Sequence, residues 1–357
     1  PKIKPNCKTP IPLPENMKNN IPNDVINTIQ NINKLFGVSM IRNESDAVEA
    51  FVRYNLQLLD ELHIIDHGST DHTREILNAL KEEGLPLQIY TYDENAYIQA
   101  EIVNKVIEFA LSKDSNITHI FPLDADEFIY CPSRQKLNEL LAQIPTDRVG
   151  MYTWRGYLPN TTKPDAHFYK NFTEQRQEIL LTPKVIIPRD VAKNNKVTIG
   201  SHYMIDNENK EVPSVVFRSP QHRHFYAWFE EKFNAQFIET DELWLGHFPI
   251  RSVDQQIKRT LEKSLIMALS LKENKAGDIA WENQLKDLLA KNMEISLEEL
   301  RLIAFRYRAT EEGTTTVAQN QAISNKTLEL KYLHLVESSP LPTVARLILT
   351  LAEKLRT

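Results

Sequence analysis

Two carboxylates one residue apart are the side chains of this chain best suited to chemistry: Asp124 and Asp126, in Phe121-Pro122-Leu123-Asp124-Ala125-Asp126-Glu127-Phe128. They follow an apolar run, so they stand where a strand would leave a sheet. There one carboxylate can coordinate a divalent cation while the other shares the metal or accepts hydrogen bonds from a ligand hydroxyl. Hard oxygen ligands suit Mn2+ or Mg2+, and either ion also binds diphosphate oxygens. Such a cation offsets charge that builds on a leaving diphosphate. A bare Asp-x-Asp is common in surface turns, and its place after a strand-like segment is what singles this one out.

Other polar groups could join it. In Asp66-His67-Gly68-Ser69-Thr70-Asp71-His72-Thr73, Gly68 permits a tight turn, while Ser69, Asp71 and Thr73 can cap a following helix. Arg42-Asn43-Glu44 follows another short apolar run. Arg251, near a helix start, can pair with a phosphate. The stretch 221–228 is rich in histidine and aromatic residues; a packed helix start is preferred over a ring-stacking surface, and its histidine spacing does not suit zinc.

The elements that must position these groups alternate. Short apolar runs at Phe36–Ile41, Leu62–Ile65, Leu87–Tyr90 and Thr118–Leu123 are predicted strands. Between them, Val48, Phe51, Val52, Leu56 and Leu59, then Ile76, Leu77 and Leu80, then Val103, Val106, Ile107, Ala110 and Leu111 repeat at the helical period. Such βαβ alternation predicts a parallel sheet covered on both faces, with right-handed crossovers. Ligands of these sheets sit at the carboxyl ends of strands, where the clusters 42–44, 66–71 and 124–127 all fall. Farther on, strand-like pieces at 149–154, 184–187, 197–199 and 243–248 are separated by polar loops. From Ser252 the pattern is helical: Ser252 to Gln255 and Ser296 to Glu299 fit capping boxes, and Ile257, Leu261, Leu265 and Leu269 form a stripe. The expected divisions are an extended lead-in at 1–34, an α/β domain at 35–251 and a helical region at 252–357.

Composition narrows the partners. A net charge of -6 argues against nucleic acid as a partner. The two cysteines, Cys7 and Cys131, are far apart and suit a reducing compartment. No stretch approaches the roughly 20 apolar residues of a membrane span, and the first residues lack the apolar core of a signal peptide. The absence of an initiator methionine hints at a piece of a longer chain. A last amphipathic helix (Val344, Leu347, Ile348, Leu351 and Leu355 opposite Arg346, Lys354 and Arg356) offers a face for a membrane surface or another domain, with packing inside the chain preferred.

Three motifs together, Ser39-Met40-Ile41-Arg42-Asn43-Glu44, Ile65 to Thr73 and Leu123-Asp124-Ala125-Asp126-Glu127-Phe128, resemble the family-2 glycosyltransferases of the GT-A fold. The likeness is greatest to a bacterial branch with a DADEF motif and a later His-Phe-Pro-x-Arg-Ser element, here His247 to Ser252. The resemblance implies a Rossmann-like, mainly parallel central sheet with helices on both faces. It implies transfer, with inversion, from a nucleotide-diphosphate sugar (a UDP-sugar foremost) to a saccharide or lipid-linked acceptor. The setting would be bacterial surface polysaccharide such as capsule or lipopolysaccharide, in the cytoplasm at the inner face of the membrane. Ile41, Asn43, Glu44, Asp66, Ser69, Asp71, Asp124, Ala125 and Arg251 would then bind the donor. Asp124, Asp126 and His247 would hold Mn2+ or Mg2+. The base that takes the acceptor proton would be Glu242, Asp241 or His202, with Asp165 and His167 behind them. Two other readings stay open: a nucleotidyltransferase, which would want a glycine-rich phosphate loop that Gly37 alone does not supply, and a catalytically degenerate sugar-nucleotide-binding scaffold.

Overall fold

The computed structural model describes residues 34–93, 98–163, 171–177, 180–220, 227–271, 279–307, 317–319, 328 and 330–354. The first thirty-three residues of the expected lead-in, Asp165, His167 and most of the stretch 221–228 lie outside them. The first half alternates as the sequence predicts: β1 (Lys34–Ile41), α1 (Val48–Asn55), β2 (Glu61–Asp66), α2 (Thr73–Glu82), β3 (Leu87–Thr91), α3 (Gln99–Lys113) and β4 (Ile117–Pro122). Then come β5 (Glu127–Tyr130), α4 (Arg134–Leu141), β6 (Val149–Leu158), β7 (Glu174–Arg176), β8 (Leu180–Pro188), α5 (Arg189–Ala192), β9 (Lys196–Val197), β10 (Met204–Ile205), β11 (Ser214–Arg218), α6 (Ala227–Phe233), β12 (Gln236–Glu239) and β13 (Trp244–His247). The last part comprises α7 (Val253–Leu271), α8 (Ile279–Ala290), α9 (Leu297–Arg306), β14 (Val317–Gln319) and α10 (Leu341–Lys354).

The central sheet runs β12-β11-β6-β8-β4-β1-β2-β3. It is parallel except where β8 runs against both β4 and β6. Apolar cores lie on both faces, as expected for crossovers that cover the sheet twice. One contains Phe51, Leu77 and Leu80, from α1 and α2, together with Phe128. The other contains Val103, Val106 and Ile107 of α3 against Phe36, Val38 and Ile120. The fold class is thus the mixed α/β sheet with a helical C-terminal region anticipated above.

Register brings the polar clusters into one row. Ile41 pairs with Asp66 and Val38 with Pro122, so residues 42–44, 67–71 and 123–126 leave neighbouring strands at the same edge. Two boundaries differ from the periodic pattern. α1 stops at Asn55, whose side chain instead donates to the carbonyl of Glu127 and accepts from the N–H of Ile129, so Leu56 and Leu59 lie beyond it. The capping box at Ser296 forms completely. At Ser252 only half of it does: the hydroxyl accepts from the N–H of Gln255, but the Gln255 side chain turns to Arg251 and Pro249. In α10, Val344 and Leu347 are buried, while Leu341, Ile348 and Leu349 are exposed. Among the described residues no helix is long and apolar enough to cross a membrane.

Candidate active site

The turn between β4 and β5 carries the aspartates. It is closed by the N–H of Glu127 donating to the Asp124 carbonyl at 3.0 Å. β13 then lies antiparallel to β5 with His247 opposite Glu127, and the N–H of Phe248 donates to the Asp126 carbonyl at 2.9 Å. This pairing places His247 Nε2 3.6 Å from Asp126 Oδ2. The parallel neighbour β6 supplies Trp154, whose indole stacks on the His247 ring at 4.1 Å between centroids. Burial pushes the His247 pKa down to about 4 against the pull of Asp126 and Asp124, so the imidazole is neutral at pH 7 and its nitrogen is ready to act as a ligand.

Asp124 is held differently. Its Oδ2 accepts from Lys184 Nζ at 2.7 Å, and its Oδ1 from Gln99 Nε2 at 3.3 Å. Its own N–H donates to Glu127 Oε2 at 2.8 Å, and Lys184 reaches that same oxygen at 3.1 Å. Lys184 and Glu127 are fully enclosed, their side chains 1% and 0% exposed. Burial disfavours the Asp124 carboxylate, but the Lys184 ammonium outweighs it and keeps the pKa below the usual range. For Glu127 burial wins, and the pKa stands well above the carboxylate norm. The sequence reading passed over Lys184. Its signal was a lone lysine inside the apolar run Pro183-Lys184-Val185-Ile186-Ile187, a position that a buried strand tolerates only with a counter-charge.

Around the other strand ends the candidates are bound to one another. Asn43, in the left-handed region at φ 56, accepts through Oδ1 from the N–H groups of Thr70 (2.6 Å) and Asp71 (3.1 Å), while Ser69 Oγ accepts from its N–H. Asp66 accepts from the Ser69 N–H and pairs with Arg74. Asp71 accepts from the N–H of Thr73 and pairs with Lys258 of α7. Ile41 and Ala125 are buried beside these loops. Arg251, suggested by sequence as a phosphate partner, is 4% exposed, and its guanidinium bridges Glu44 and Asp46. It joins the C-terminal helices to the loop after β1.

The three base candidates separate. Asp241 and Glu242 precede β13 at its far end, beyond Trp244, which pairs with Tyr130. They face Arg155 at 3.5 Å and Lys136 at 2.7 Å. Since Trp244 to His247 already spans about 10 Å of strand, the structure does not bring them to the aspartates. His202 does come close. Its ring packs edge-on to Trp154 at 5.6 Å between centroids, and its positive form would interact with Asp124. Gly200, at φ 73, makes this possible: a Cβ there would lie 2.5 Å from His202 Nε2. The Gly200 N–H donates to Gln99 Oε1 at 3.3 Å, which links this turn to Asp124.

Asp126 Oδ2 and His247 Nε2 are a donor pair that suits Mn2+ better than Mg2+, which takes oxygen ligands. Among the described residues no three His, Cys, Asp or Glu side chains form a group able to hold a metal. A cation here would therefore complete its shell with ligand phosphates and water, the usual habit of Mg2+ at phosphate sites.

A pH effect follows from burial. His247 and His119 are both pushed down to about 4 by burial, while unfolded histidines titrate near about 6.5. Below that value the unfolded chain takes up protons that the folded one refuses, so stability present above it is lost as pH falls towards 4. Urea midpoints at pH 7 and pH 5 should show the loss, and it should shrink in His119→Phe.

Residues 38–205 match the model of Glycosyl transferase family 2. No protein of curated function matches the chain. Among solved structures, a mannosyltransferase from Pyrobaculum calidifontis in complex with GDP-Man and Mn2+ is 13% identical, with a TM-score of 0.33, over 76% of this chain and 72% of that one. Glucosyl-3-phosphoglycerate synthase from Mycobacterium tuberculosis, solved with Mn2+, UDP and glucosyl-3-phosphoglycerate, is 16% identical with a TM-score of 0.25, over 38% of this chain and 50% of that one. A putative glucose-1-phosphate thymidylyltransferase from Bacillus anthracis is 10% identical with a TM-score of 0.31, over 59% of this chain and 88% of that one. At these scores the overlap is loose, and no activity of this chain follows from it.

Proposed function

We propose that the protein is a metal-dependent glycosyltransferase. It moves a sugar, with inversion, from a nucleotide-diphosphate sugar, UDP-linked in the first instance, to a saccharide or lipid-linked acceptor. The observation that supports it most is the meeting of Asp126 and His247 at 3.6 Å, at the carboxyl ends of strands in a chain whose residues 38–205 match glycosyltransferase family 2. A cation held by that pair would neutralise charge on the departing diphosphate. Asp124, kept ionised by Lys184, accepts hydrogen bonds from donor hydroxyls. The loops of Ile41, Asn43, Glu44, Asp66, Ser69 and Asp71 wall the nucleoside. His202 Nδ1 lies 2.9 Å from the Pro183 carbonyl, an oxygen that can only accept, so Nδ1 carries the proton and Nε2 is the basic nitrogen. His202 is therefore preferred to Asp241 and Glu242 as the group that takes the acceptor proton. Donor binding and transfer belong to 35–251, with 252–357 bracing the donor loops. The setting is bacterial surface-polysaccharide synthesis at the cytoplasmic side of the membrane.

A thermal-shift screen of nucleotide-diphosphate sugars with and without Mn2+ tests this reading. The true donor should raise the midpoint in a metal-dependent way, because a ligand that binds only the folded state stabilises it by mass action. No shift with any donor, with or without metal, would remove the reading.

A further inference from the structure

The cations around the strand ends differ in one respect. Arg251 pairs with Glu44 and Asp46, Lys258 with Asp71, Lys184 with Asp124 and Glu127, and Arg74 with Asp66 and Asp93. Arg42, the first residue past β1, has no such partner among the described residues. It is half-buried, and its Nε is fully enclosed without a hydrogen bond. The acids that act on it electrostatically are Glu262 of α7 and Asp66 of β2. Asp66 is held by Arg74, and Glu262 accepts from Asn43 Nδ2 at 2.5 Å. Burial pushes Glu262 up to about 7, so at neutral pH it supplies only part of a counter-charge.

Further positive charge adjoins Arg42. Arg259 and Lys263 lie one helical turn apart on α7 and so share a face. Arg259 interacts electrostatically with Asp126, and Lys263 with Arg259 and Arg42 as well as with the carboxylates of Glu262 and Glu44. Burial, then the charge of Arg259, pushes the Lys263 pKa down. Electrostatic interactions thus run from the proposed metal ligand through Arg259 and Lys263 to Arg42, and Glu262, the acid that Lys263 and Arg42 share, is only partly ionised at neutral pH. A half-buried guanidinium whose enclosed Nε has no hydrogen-bond partner is poorly satisfied in the free protein and is stabilised once an anion arrives. Its planar fork suits the paired oxygens of a phosphate.

We propose that Arg42, flanked by Lys263, anchors the diphosphate of the nucleotide donor on the side away from the metal. This rests on the nucleotide-sugar reading above. The anchor adds to the metal rather than replacing it: a cation would be held by Asp126 and His247, and Arg42 would take phosphate oxygens that the cation leaves free.

The test is isothermal titration of the full chain with UDP, GDP, ADP, CDP and dTDP and with the matching monophosphates, in Mn2+. Wild type should prefer one diphosphate over its monophosphate. Arg42→Gln should shrink that ratio on the order of tenfold, with monophosphate affinity within about twofold of wild type. Arg42→Lys should recover part of the ratio, and an unchanged circular dichroism spectrum and midpoint would exclude misfolding. An unchanged ratio in Arg42→Gln, with wild type binding the nucleotide, would overturn the anchor alone. Absence of any nucleotide binding by wild type would overturn the donor reading and the anchor with it.

Discussion

Replacing Asp126 with alanine is expected to lower Mn2+-dependent sugar transfer by about a thousandfold or more, because a catalytic cation contributes several kcal/mol and each 1.4 kcal/mol is about tenfold. The fold should survive the change. The structural contact of Asp126 is its carbonyl, which accepts from the N–H of Phe248 and remains in the variant. The carboxylate repels Glu44 and Glu127, whose pKa values it raises, and attracts the buried Arg251 and Arg259, so its loss removes charge interactions of both signs in the metal-free protein. Asp126→Ala should therefore melt near the wild-type midpoint without metal and lose the upward shift that Mn2+ gives with donor. His247→Asn should move activity in the same direction. Full transfer activity in Asp126→Ala, at wild-type Mn2+ concentration, would rule out the proposed centre.

The first half of the molecule was legible because each strand is a short apolar run that ends in a polar cluster, with a helical-period segment before the next. β1 to β4 and the helices between them follow that grammar, and their common register puts the clusters in one row. The second half does not follow it. β5 is four residues long and opens on a buried acid, Glu127, so its apolar run Phe128-Ile129-Tyr130 is too short to mark a strand by itself. β8 reverses direction between β4 and β6, and its lysine reaches Asp124 and Glu127 only because of that pairing. The partnership of Asp126 with His247 likewise depends on β13 lying against β5, a contact across about 120 positions that local pattern does not encode. The same register explains Asp241 and Glu242: closeness to His247 in sequence becomes distance in space when the intervening residues are extended. For Arg251, local sequence could supply the charge but not its partners, because Glu44 and Asp46 come from the other end of the domain.

Lys184→Met should be the most destabilising single change in the site. It leaves Glu127, which is 0% exposed, without its counter-ion and frees Asp124 to turn. Removing one member of a buried ion pair costs about 3–5 kcal/mol. The half-exposed Asp124 recovers part of its loss in water, so the Glu127 side carries most of the penalty. That penalty depends on pH, with a definite sign. Burial already holds the Glu127 pKa well above normal even with Lys184 present, and without the ammonium it must rise further. A carboxyl whose folded pKa is raised contributes stability fully below its unfolded value, about 4.3, and loses that contribution as pH climbs through the folded value. The variant should therefore lie closer to wild type in urea midpoint at pH 5 and fall farther below it at pH 8. Adding Glu127→Gln should recover much of the loss at pH 8, since exchanging a buried ion pair for neutral groups of similar volume is often close to neutral. Asp124, with its lysine gone, should bind nucleotide-sugar more weakly at every pH, including pH 5, where the fold is least affected. An equal stability loss at both pH values, or no recovery in the double variant, would show that the Lys184 ammonium is not the charge that holds these two carboxylates in place.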